Sequence, residues 1–101
     1  MKREFQVSAP SASARAGDVE IGTNGEHEVY YASGERTLIF EREDFDDGKE
    51  YFGFDIFLPQ EKWHWAPPHE KEEVPESMHT QILEDLSSAF AVLGEKISFR
   101  K

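Results

Sequence analysis

Three dipeptides mark turns in the middle of the chain, and the runs beside them carry the alternation of strands. Asn24-Gly25, Ser33-Gly34 and Asp47-Gly48 each accept a tight reversal, because glycine takes positive φ at little steric cost. The runs between them alternate. Val19 and Ile21 are interleaved with Asp18 and Glu20, and "EHEVYYAS" (26–33) supplies the second arm of a hairpin. In "ERTLIFERE" (35–43), Leu38 and Phe40 share a face with Arg36 and Arg42, while Ile39 lies with Thr37 and Glu41. Beyond the third turn, Phe52, Phe54, Ile56 and Leu58 recur at every second position and should face a core. Their opposite face carries Tyr51, Gly53, Asp55 and Phe57, with Gly53 marking a bulge or a close backbone approach. Pro59 stops regular pairing, and a shorter strand is expected at 61–65, with Trp63 and Trp65 on one face and His64 on the other. The pattern predicts an antiparallel meander of about five strands over 18–65.

The period then changes. Pro75 suits the first turn of a helix, where no backbone donor is needed, and Glu76 complements the helix dipole. Apolar residues follow at Met78, Ile82, Leu83, Leu86, Ala89, Phe90 and Leu93, steps of three and four that predict one amphipathic helix over 74–93. Gly94 is placed to end it in the left-handed conformation, and "KISF" (96–99) leaves room for a short final strand. The expected fold is α+β: a mostly antiparallel sheet packed against one long C-terminal helix, in a single domain 1–101. The small-residue segment "SAPSASARAG" (8–17) leaves 1–17 irregular or partly ordered, or a strand that breaks at Pro10. The strands after Pro59 and Gly94 could join either edge of the sheet.

Eight Phe, two Trp and three Tyr among 101 residues can sustain one core without disulfides, and there is no cysteine to form any. That suits a reducing compartment. "EFQVSAPSASARAG" lacks the apolar stretch of a signal peptide, and no run approaches the roughly 20 apolar residues that span a bilayer. A soluble, cytoplasmic protein is expected. The formal net charge is −10, and the imbalance is concentrated: all but one of the 21 acids, but fewer than half of the 11 bases, fall in residues 18 to 95. Such a body disfavours nucleic-acid phosphates and anionic membranes as direct partners.

Two stretches could carry function. "KWHWAPPHE" (62–70) holds two tryptophans and two histidines. A metal reading would use His64, His69 and His79, but the interval between the first two crosses Pro67-Pro68, no cysteine accompanies them, and structural zinc spacings are not reproduced. An aromatic strand end clamping the helix fits better, and no metal or cofactor is expected. If Trp63 or Trp65 is exposed, it becomes an anchor for a partner. The second stretch, "EREDFDDGKE" (41–50), fails as an EF-hand loop, since Phe45 and Phe54 fall where oxygen ligands belong. Its candidates for recognising a basic partner are Glu41, Glu43, Asp44, Asp46 and Asp47, with "EKEEVPE" (70–76) extending the surface. Catalysis finds no support: there is no cysteine nucleophile, no G-x-S-x-G turn and no phosphate loop.

The acidic, cysteine-free chain, with its meander through "VYYASGERTLIFERE", the element "WHWAPP" and the closing helix "ILEDLSSAFAVL", resembles the small immunity proteins of bacterial polymorphic toxin systems over residues 18 to 99. The resemblance implies function by binding: such a protein occupies a cognate, basic toxin domain and blocks its working surface without chemistry of its own. It transfers no site residue. The competing expectation is a structural or adaptor module that self-associates, as a homodimer, through its sheet edges, with acidity serving solubility.

Overall fold

The computed structural model describes residues 2–8, 13–44 and 53–101. Its elements run β1 (Gln6–Ser8), β2 (Ser13–Ala16), β3 (Val19–Asn24), β4 (Glu28–Ser33), β5 (Arg36–Asp44), β6 (Gly53–Phe57), α1 (Glu76–Val92) and β7 (Lys96–Arg100). The strands form one sheet in sequence order. All neighbours are antiparallel except β6 and β7, which pair in parallel with Phe54 opposite Ile97 and Ile56 opposite Phe99. The architecture is α+β, as the two hydrophobic periods require.

Two reversals follow directly from glycine. Ala16 opposes Val19 and Ser33 opposes Arg36, so Gly17-Asp18 and Gly34-Glu35 are two-residue turns. In each the glycine has φ near +60° and no other residue type adopts positive φ, the pattern of a type II′ hairpin. The Asn24-Gly25 reversal is longer: Asn24 opposes Glu28, leaving Gly25, Glu26 and His27 in the loop. Gly22 is a glycine for another reason. A Cβ there would lie 2.8 Å from Tyr30 Oη and 3.0 Å from the Ser13 Cβ, because the Tyr30 ring lies across it.

One row of the core crosses four strands, Ala14, Ile21, Tyr31 and Leu38 each directly opposing the next. Against this side of the sheet α1 buries Ile82, Leu86, Ala89 and Phe90. The Phe90 ring meets Phe54 edge-on at 5.1 Å, a geometry worth about 0.5–1.5 kcal/mol beyond burial. The helix stops at a Schellman motif: Glu95 N donates to Phe90 O (2.9 Å), Gly94 N donates to Ala91 O (3.2 Å), and Gly94 takes φ 77°.

Among the described residues there are seven strands, not about five with a possible short final one. The two additional strands lie in the segment read as irregular or as a strand that breaks at Pro10, on either side of residues 9–12. Ser and Ala carry no period-two hydrophobic signal, yet Ala14 is fully buried because a small side chain lets the sheet approach the helix closely. The strand expected at 61–65 is absent, reduced to a single bridge between His64 and Glu73. Its place is explained by β5, which pairs with β6 only through Glu41–Asp44. The bare half of β5 is taken up by the following loop, where Ala66 N donates to Thr37 O (2.7 Å). Pro75 is the residue before the helix rather than within its first turn, and α1 carries no side-chain cap.

Candidate functional site

Strand alternation decides which acids are available. On β5, Leu38 and Phe40 are buried, so Ile39, Glu41 and Glu43 project from the opposite face, away from α1. Ile39 is 42% exposed. Register then places like charges together: Glu28 opposes Glu41 across β4 and β5, and Glu43 opposes Asp55 across β5 and β6. Directly opposed like charges destabilise a sheet, since their Cβ atoms lie about 4.5–5.5 Å apart. Two of the four carboxylates find compensation. Asp55 accepts from Ser98 and pairs with Arg100 Nε at 2.9 Å, and Glu28 accepts from Asn24 Nδ2 at 3.2 Å. Glu41 and Glu43 have no ion pair among the described residues.

The base between them in sequence does not neutralise them. Arg42 points to the other face, with its guanidinium 4.6 Å from the Phe54 ring centroid and its Nε donating to Glu26 O at 2.9 Å. Its remaining partner is Asp44, at 3.6 Å, whose side chain is largely exposed. Asp46 and Asp47, with the Asp47-Gly48 turn and Phe52, lie outside the described residues. The candidate surface therefore consists of Glu41 and Glu43 with Glu28 beside them, flanked by exposed Ile39 and by Phe57, which opposes Glu41.

The second acidic stretch is differently used. Glu72 Oε1 accepts from Arg36 Nη2 (2.8 Å), and its Oε2 lies 2.8 Å from His69 Nδ1. The Arg36 hydrogen bond, helped by His69, holds this carboxyl below the usual carboxylate range. Glu73 pairs with Lys62 at 3.3 Å. These contacts brace the loop against β5, and of this stretch only Glu70 and Glu76 are left as exposed acids with no such contact among the described residues.

Trp63 and Trp65 are each only 6% exposed, so neither meets the condition for a surface anchor. They cover the half of β5 that β6 leaves bare. Trp63 meets Phe40 edge-on at 5.5 Å, and Val74 N donates to Trp63 O at 2.8 Å. The three histidines serve separate ends: His64 bridges Glu73, His69 contacts Glu72, and His79 stacks on Trp63. Among the described residues no group of three His, Asp or Glu side chains is placed to hold a metal ion.

Asp85 was not singled out by sequence. It is fully buried on the apolar side of α1, where Tyr31 Oη donates to Oδ2 (2.9 Å) and Gln81 Nε2 to Oδ1 (2.8 Å). Arg3 Nε approaches Oδ1 at 3.3 Å. Burial first, and the bond to Asp85 second, push the Tyr31 hydroxyl well above the ordinary tyrosine range. A signal existed: Asp85 stands three residues after Ile82 and four before Ala89, inside the helical stripe. The network joins the N-terminal segment, β4 and α1, and its carboxylate is closed to solvent, so its role is structural. Among the described residues no helix is long and apolar enough to cross a membrane. Comparison with protein-family models, with curated proteins and with solved structures finds no match.

Proposed function

We propose that this chain is a non-catalytic binding protein of the cytoplasm, an immunity protein that neutralises a cognate bacterial toxin domain by occupying its basic working surface. The observation that supports this most is the opposition of Glu28 to Glu41 and of Glu43 to Asp55 on one open face of the sheet. A sheet selected for stability alone gains by replacing one member of each pair, at roughly 0.2–1 kcal/mol per pair. A lysine- or arginine-rich partner turns that cost into binding energy, forming charge-assisted hydrogen bonds to Glu41 and Glu43 and accelerating encounter. Exposed Ile39 and the neighbouring Phe57 add apolar contact area beside the acids.

The test is affinity capture from a lysate of the organism that encodes the chain, washed at low and then moderate salt. Recovery of one stoichiometric basic domain is the expected result. With that domain in hand, the Glu28→Gln, Glu41→Gln, Glu43→Gln variant should associate about tenfold more slowly and with a shallower salt dependence. Folded bait that captures nothing, and instead sediments as a dimer through its β1 or β7 edge, would replace this reading with the self-associating module.

A further inference from the structure

We propose that His79 is a pH-dependent clamp that fastens the Trp63–Trp65 loop to the helix, tight when the imidazole carries a proton and looser when it is neutral. This regulation is independent of any toxin partner. The His79 ring lies flat on the Trp63 indole, with centroids 3.7 Å apart and planes within 11°. Its Nε2 is 3.3 Å from the Val74 carbonyl oxygen. One side chain of α1 therefore touches both arms of the loop, and those arms are themselves joined by the bond from Val74 N to Trp63 O.

The two protonation states differ at these same contacts. A neutral imidazole stacks by dispersion and can offer Val74 one ordinary N–H. Protonation places positive charge over an indole face, the most favourable aromatic partner for a cation, and makes the bond to Val74 charge-assisted. The imidazole also borders an open groove of about 800 Å³, so it can exchange protons with solvent.

The charged and titratable groups on that groove act in opposite senses. From the loop come Glu61, Lys62, His64 and Glu73, from α1 Glu76, and from beyond β7 Lys101. Lys62 and Glu73 form an ion pair and largely offset each other. Glu61 and Glu76, the latter three residues before His79 on the helix, favour the imidazolium, while the positive helix N-terminus, Lys101 and a protonated His64 oppose it. The contacts made by the ring itself, to the indole face and the Val74 carbonyl, are the ones that protonation changes directly. Acidification thus ties the loop down and closes Trp63 from the groove, and neutral conditions let the imidazole swing out.

Tryptophan fluorescence titrated across roughly pH 5 to 8, where imidazoles change charge, tests this. A protonated imidazole quenches a stacked indole, so wild-type emission should fall sigmoidally on acidification. His79→Phe keeps a ring on Trp63 but cannot titrate, and its profile should be flat, whereas His64→Gln should keep the wild-type curve. Amide exchange at Val74, corrected for its intrinsic pH dependence, should be about two- to fivefold slower at the acidic end, the change a partly exposed cation–π contact supports. A flat wild-type profile, a transition that persists in His79→Phe, or faster corrected exchange at acidic pH would overturn the clamp.

Discussion

At the scale of single residues, the most consequential side chain is Asp85, a carboxylate with no exposure that three side chains converge upon. Asp85→Ala should cost about 3 kcal/mol, read as a lowered urea midpoint, because Tyr31 and Gln81 lose their acceptor inside the core and a void is left. Asp85→Asn keeps an acceptor oxygen and should cost less. Tyr31 carries the pH dependence of the same network. Its hydroxyl is raised in the native state by burial and then by Asp85, so the unfolded chain releases that proton first. The resulting stabilisation is complete below about pH 10, the unfolded tyrosine value, and is lost as pH climbs above it. Tyr31→Phe should therefore flatten the fall in stability above about pH 10, and an unchanged alkaline slope would contradict the assignment.

At the scale of elements, the turns separate conformational from steric demands. Gly34 has φ 60° with nothing within 4 Å of a would-be Cβ, so only its backbone conformation requires glycine. L-alanine there should destabilise by about 1 kcal/mol, while D-alanine, for which positive φ is natural, should stabilise by roughly 0.5 kcal/mol. Equal effects of the two would show that the turn, not the residue, adapts. The reversals at Asn24-Gly25 and Ser33-Gly34 were legible in sequence because they rest on local chemistry, as were the alternation of β3, β5 and β6 and the stripe of α1, whereas the turn at Gly17-Asp18 was not. The strand Ser13–Ala16 was not, since its place comes from a neighbouring strand and from how closely a helix can approach alanine, while Gln6–Ser8 was legible only as the alternative of a strand that breaks at Pro10. The loop at 61–65 misled for a related reason: alternating tryptophans look like a strand, but both indoles point inward to cover β5 while only one bridge forms. Glu41 and Glu43 could be read as exposed from their alternation, whereas their opposition to Glu28 and Asp55 needed the register.

At the scale of the molecule, net charge of −10 in a compact fold makes self-repulsion a global term. Raising salt from about 0.01 to 0.15 M shortens the screening length from about 30 to 8 Å and should raise the thermal midpoint by several degrees. A midpoint that falls with salt would mean that pairs such as Arg36–Glu72 and Arg100–Asp55 outweigh the repulsion. The acidic balance was plain in the composition, but its use was not: one stretch is consumed in bracing the loop, while Glu41 and Glu43, in the described part of the other, are left open on the sheet. The parallel pairing of β7 bears on how the chain reaches this state. Six strands join by reversals between adjacent segments, but Asp55 meets Ser98 across a separation of 43 residues, after a whole helix has been threaded over the sheet. Closing so long a loop carries an entropic cost that neighbouring reversals avoid. During synthesis the outer edge of β6 is therefore the last seam to be sealed, and until it is, the nascent chain presents an open strand to whatever accompanies it from the ribosome.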